Sequence, residues 1–235
     1  MSQHTVSAFD ADLKALNDLV LGMGRAVLNQ HQEASTLPVS RDAKVARRII
    51  DGDRAIDDMQ QAIEERAIQI IARRQPMAVD LRTVIATLKI ASDLERIGDL
   101  VKNNAKRMMA QGPHSPLPPG AASLERLNER VAEQLERMLE AFEQRDDDLA
   151  QEVWLSDVEI DTLQTSLFRE LLTYMMEDPR NIGHCTHLLF CARNLERIGD
   201  HATNIAEQVH YIVTGKTMPV DRPKGDVTSG PQGDV

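Results

Sequence analysis

A chain of 235 residues is long enough to bury a sizeable core, but only 3% of its residues are aromatic, so that core must be aliphatic. Its formal net charge of −10 and pI near 5.2 argue against nucleic-acid binding, which needs positive charge facing phosphates. No apolar run approaches the ~20 residues that cross a bilayer, and the N-terminus lacks a signal-peptide pattern, so a cytoplasmic protein is expected. Residues that lose little rotamer freedom in helices dominate, and sustained β-type alternation is absent, which predicts an all-α fold.

A first helix is expected over residues 6–34, with a stripe at Phe9, Leu13, Leu16, Val20, Met23 and Val27 whose spacing alternates four and three. After Pro38, Ser40 is the expected N-cap of a second helix reaching Arg74, with Val45, Ile49, Ile56, Ile63, Ala67 and Ile70 facing inward. Pro76 breaks the pattern, and a third helix is expected from Met77 to Gln111. Residues 112–120, GPHSPLPPG, form a linker. A fourth helix then carries Leu124, Leu127, Val131, Leu135, Met138 and Phe142, and residues 146–148 offer a cap for a fifth ending near Glu177. Asp178-Pro179 opens a sixth helix to about Thr214, followed by a tail over 215–235 expected to be disordered.

The same order occurs twice. DLERIGDL at 93–100 matches NLERIGDH at 194–201, and DRAIDDMQ at 53–60 matches DVEIDTLQ at 157–164. Two segments recurring in one order mark a tandem duplication: residues 1–111 and 121–214 each form a three-helix unit. The offsets, 101 and 104, differ by three residues, so the second hairpin has a shorter connection or a trimmed helix.

Each unit sets two acidic pairs four residues apart: Asp53/Asp57 with Glu95/Asp99, and Asp157/Asp161 with Glu196/Asp200. Residues four apart share a helix face, where two like charges cost about 0.2–0.5 kcal/mol. In an antiparallel hairpin, Asp57 falls level with Glu95 and Asp53 with Asp99. The heptads Leu81–Leu88–Glu95 and Ile182–Leu189–Glu196 place each glutamate at the edge of an apolar seam. Clustered carboxylates there need a cation or a raised pKa.

Arginine pairing three residues away (Arg54–Asp57, Arg96–Asp99, Arg197–Asp200) is the plainer alternative, but Asp157, Asp161 and Glu95 have no basic residue three or four away. All-oxygen ligands suit Mg²⁺, Ca²⁺, Mn²⁺ or ferric iron, and Zn²⁺ less well. The di-iron Glu-x-x-His pattern is missing, since Gly98 and Gly199 stand where its histidine would be. His201 is a weak further ligand candidate, and His184, Cys185, His187 and Cys191 lack counterparts in the first unit. No nucleophile–base pair or phosphate loop is present, so no enzyme is expected.

DLERIGD and NLERIGD, each followed by an asparagine (Asn103, Asn204), together with the paired acidic segments at 53–57 and 157–161, resemble the PhoU family over residues 5–214. The resemblance implies an accessory regulator of the phosphate-specific transport system that keeps the phosphate-starvation response off when phosphate is plentiful. It implies a sensor histidine kinase and the transporter's ATPase subunit as partners, a homodimer, and membrane association only through those partners. It also implies metal ions (Mg, Mn, Fe or Zn) at the eight carboxylates; Asn103 and Asn204, beside His201 from the residue pattern, are further candidate ligands.

Overall fold

A seam that repeats every three or four residues forces each long segment into a helix, and only the breakers decide where each one stops. The computed structural model describes residues 2–111 and 120–219, with seven α-helices and one 3₁₀ turn among them. Helix α1 (Ser2–Ser35) buries Leu16, Val20, Met23 and Val27, and Phe9 and Leu13 pack at its edge.

The next boundary differs from the sequence expectation. Pro38 starts a one-turn helix, α2 (Leu37–Ser40), which ends at Arg41 in the left-handed region with φ 51°. Ser40 is thereby spent as the last residue of that turn. Asp42 caps α3 (Ala43–Arg74) instead, accepting from the Lys44 N–H at 2.7 Å and the Val45 N–H at 3.4 Å. Ala46, one place beyond the expected Val45, turns fully inward.

Helix α4 (Val79–Ala110) begins two residues later than expected, after Ala78, whose φ of +48° makes the turn. Helix α5 (Ala121–Gln144) and helix α6 (Asp147–Glu177) follow, with Asp146 accepting from the Leu149 N–H at 3.0 Å to cap α6. Asp178 does cap the next segment, but that segment is a 3₁₀ turn over Pro179–Asn181, and α7 (Ile182–Thr214) starts beyond it.

The three-residue difference between the offsets is helix trimming. Four residues separate the helices in both hairpins, while the second has one residue fewer before the turn and two fewer after it. Of the linker at 112–120 all but Gly120 lies outside the described residues, as does the tail from 220 onward; of the earlier part of the tail, Met218 is buried.

Helices α1, α3 and α4 form one bundle and α5, α6 and α7 the other, so the fold is all-α with two tandem three-helix bundles. The bundles meet along α4 against α7 and α1 against α5, which leaves α3 and α6 on the flanks. One apolar cluster runs through both, including Ile97, Leu100 and Val101 from α4 and Ile198, Ala202 and Ile205 from α7. Polar bonds cross the same junction. A His31 ring nitrogen meets the Asn128 carbonyl at 3.2 Å, and the Asn194 amide donates to Asn104 at 2.7 Å.

Candidate functional site: two carboxylate clusters

Both DxxxD segments ride on the inner stripe of their helix. Asp53 falls between Ile49 and Ile56 on α3, and Asp157 between Val153 and Ile160 on α6, so each aspartate occupies a seam position. They are 6% and 1% exposed. The second acid of each segment, one turn on, is farther out: Asp57 is exposed and Asp161 half-buried. Glu95, Asp99, Glu196 and Asp200 are half-buried on the facing helices, as seam-edge positions should be.

The hairpins bring these acids together. Burial pushes the Glu95 carboxyl up, and the Asp99, Asp57 and Asp53 carboxylates push it further, against the pull of Arg96. Burial pushes Glu196 up to about 7, reinforced by Asp200 and Asp161 and opposed by Arg193 and Arg197. The Arg193 guanidinium donates to Glu196 Oε1 at 2.9 Å, while Glu196 Oε2 is buried without a hydrogen-bond partner in the protein.

The two clusters differ in a way the motifs concealed. In the first, the Lys102 ammonium donates to both Asp53 and Asp99, bridging α3 to α4. Burial works against that charge, but the two carboxylates outweigh it and hold Lys102 above the ordinary lysine range. The duplicated position in α7 is Thr203, whose single hydroxyl proton is shared between the Gly199 carbonyl at 2.9 Å and Asp157 Oδ1 at 3.3 Å. No charge comes with it.

A third helix also enters each site. Gln30 of α1 and Gln134 of α5 lie beside the ERIGD glycines: a Cβ on Gly98 would come within 3.7 Å of Gln30 Oε1, and one on Gly199 within 3.2 Å of both Gln134 Oε1 and Asp157 Oδ1. The Gln30 amide donates to the Ile49 carbonyl at 3.0 Å. Gln134 is 1% exposed, and neither its oxygen nor its nitrogen has a hydrogen-bond partner in the protein. The glutamines are related by the same 104-residue offset as the aspartates, a signal the sequence held. The Lys102–Thr203 difference was legible too, since the 101-residue offset aligns the two and Lys102 follows Asp99 by three residues, a spacing at which a lysine can pair with an acid.

The extra ligand candidates go elsewhere. His201 turns from Asp200 to Asp93 of α4, with its Nδ1 at 2.8 Å from Oδ1, because position 201 of α7 faces the bundle junction. Asn204 lines an open cleft of about 390 Å³ between α4 and α7 with Lys89, Ser92, Arg96 and Gln208, and Asn103 is exposed. Cys185 and Cys191 are buried free thiols, the latter pushed up to about 12 by burial.

Among the described residues, no three His, Cys, Asp or Glu side chains are arranged as a ready cage for an ion. The carboxylates are therefore a set of hard oxygen donors rather than a formed cage. The second cluster fits a hard cation in its chemistry: four carboxylates, an orphaned buried amide oxygen, and a glycine where a Cβ would crowd the space.

The fold and these sites define a class: duplicated helical bundles carrying an acidic cluster in the hairpin of each repeat. The sequence model described as the PhoU domain matches twice, over residues 20–108 and 124–209, and the chain belongs to the PhoU family. A Rhizobium meliloti protein named phosphate-specific transport system accessory protein PhoU homolog is 48% identical over 226 residues, covering 96% of this chain and 95% of its own. The Escherichia coli phosphate-specific transport system accessory protein PhoU is 37% identical over 218 residues, covering 92% and 89%. The crystal structure of PhoU from Pseudomonas aeruginosa superposes with a TM-score of 0.85 at 38% identity, covering 88% of this chain and all of that one. The phosphate transport system regulatory protein PhoU from Streptococcus pneumoniae superposes at 0.83 with 31% identity. No helix among the described residues is long and apolar enough to cross a membrane.

Proposed function

We propose that this chain is an accessory regulator of a phosphate-specific transport system that holds the phosphate-starvation response off while phosphate is plentiful. The observation that carries this reading is identity of 37–48%, across nine-tenths or more of the chain, to relatives bearing that accessory name. It acts by contact, as a cytoplasmic homodimer without catalysis of its own, on a sensor histidine kinase and on the transporter's ATPase subunit. A net charge of −10 suits association with basic patches on such partners, at rates that fall with rising salt.

The acidic clusters complete the proposal as sites for a hard cation (Mg, Mn or Fe, with Zn less suited), which would neutralise the crowded charge and tie the two helices of a hairpin together. Asp157, Asp161, Glu196 and Asp200 would hold it in the second repeat, and Asp53, Asp57, Glu95 and Asp99 are the corresponding donors in the first.

The test is deletion of the gene in its host. Starvation genes, such as a secreted phosphatase, should then be expressed even in high phosphate, and removing the sensor kinase as well should silence them again. Repressed phosphatase in the single deletion, or continued expression without the kinase, would refute the regulatory reading. Pull-down of the kinase and the ATPase subunit from cells grown with and without phosphate tests the partners directly.

A further inference from the structure

The two clusters share their carboxylates but not the group that relieves them. In the first, the Lys102 ammonium lies between Asp53 and Asp99 and donates to both, with a side chain only 19% exposed. A divalent ion drawn to the same oxygens would meet a fixed positive charge at contact distance, where repulsion in a half-buried site is strong. Gln30, the amide beside this cluster, donates its nitrogen to the Ile49 carbonyl, and its oxygen is buried and unpartnered, so here it is the Lys102 ammonium that closes the cluster to an ion.

In the second, Thr203 replaces the ammonium with a neutral hydroxyl that is fully buried and whose proton is already shared between Gly199 and Asp157. Two further polar groups there are left over by the protein itself. Gln134 is 1% exposed with both side-chain polar atoms unpartnered, and its oxygen lies beside the same point on Gly199 as Asp157 Oδ1. Glu196 Oε2 is buried and unpartnered as well. Buried amides are almost always hydrogen-bonded, and one left open against a carboxylate cluster is accounted for by a cation, to which an amide oxygen is a normal hard ligand.

We propose that the repeats have divided the cations between them: the first is filled by its own Lys102, and only the second takes an ion from solution, one hard divalent cation per chain at Asp157, Asp161, Glu196 and Asp200 with the Gln134 oxygen beside them. This rests on the metal reading above and narrows it from two sites to one. Lys102 against Thr203 is what separates the sites, together with the Glu196 Oε2 and the Gln134 amide nitrogen that the second leaves over.

The experiment counts Mn²⁺ on the full chain. After chelation and desalting, Mn²⁺ is titrated in and the free ion is measured by electron paramagnetic resonance. The wild type should bind one tight equivalent. Lys102→Thr, which gives the first repeat the second's residue, should bind two, and Lys102→Gln serves if the threonine variant folds poorly by circular dichroism. Asp161→Asn combined with Glu196→Gln should lose the tight equivalent, Asp57→Asn should keep it, and Gln134→Leu should weaken it roughly 10- to 100-fold. Two equivalents on the wild type would overturn the division and leave the metal reading standing. One equivalent on both Lys102 variants, or one retained by the Asp161/Glu196 variant, would overturn the assignment. No Mn²⁺ on any variant would remove the metal reading and this inference together.

Discussion

Lys102 of α4 and Thr203 of α7 stand at the same place in the two repeats, and each donates to the buried aspartate of the facing helix, Asp53 or Asp157. An ammonium answers one carboxylate and a hydroxyl the other. The two halves of a duplicated protein thus meet one electrostatic problem in different ways, and their stabilities should respond differently to mutation.

Lys102→Met leaves Asp53 buried without its ammonium. Breaking a fully buried pair costs about 3–5 kcal/mol, and here about 2–4 kcal/mol is expected, because the Asp99 side chain, at 47% exposed, is screened by water. Urea unfolding in chelator measures it. A loss below about 0.5 kcal/mol, the scale of a surface pair, would mean that Lys102 is not bridging the two acids.

His31 ties α1 to α5 through the Asn128 carbonyl, and burial lowers its pKa below the ordinary value of 6.5, with that hydrogen bond partly opposing. Between the lowered folded pKa and 6.5 the unfolded chain holds a proton that the folded chain does not. Stability contributed by the neutral ring is therefore full above 6.5 and declines as pH falls through that window. His31→Leu, which copies Leu135 of the second repeat, should unfold with a weaker pH dependence between pH 7 and 5 than the wild type. Parallel curves would show that His31 does not carry the effect.

Gly199 and Gly183 lie in one helix and should answer to alanine with opposite signs. A Cβ at 199 would stand 3.1 Å from Ile160 Cδ1 and 3.2 Å from Asp157 and Gln134, all buried, whereas one at 183 meets nothing within 4 Å. Gly183→Ala should gain up to about 1 kcal/mol from helix propensity. Gly199→Ala should lose about 1–3 kcal/mol through overpacking, which thermal unfolding of the pair will show.

Trp154, the only tryptophan, reports on the second repeat, while far-ultraviolet circular dichroism averages over both. Because a single apolar cluster spans the junction, the two probes should give the same urea midpoint. Separate midpoints would mean that the repeats unfold as independent units despite their shared core.

Hydropathy period, proline positions and two recurring segments were enough to read the helices, their order, the duplication and the acids that converge in each hairpin. These features are local, or are fixed by the arithmetic of a helix hairpin. Helix ends were less legible: Ser40 and Asp42 are both good caps, and the choice between them depended on whether Pro38 ends one helix or begins another, which packing of Leu37 and Pro38 into the core settles. Beyond local pattern, tertiary structure alone decided which side chains face the carboxylates. Lys102 reaches Asp53 across 49 residues of chain, Gln134 arrives from a third helix, and His201 leaves its neighbour Asp200 for Asp93 in the other repeat. Sequence fixes the period that turns a side chain toward a seam, but the partner waiting there is set by how separate helices dock, and no local rule contains that information.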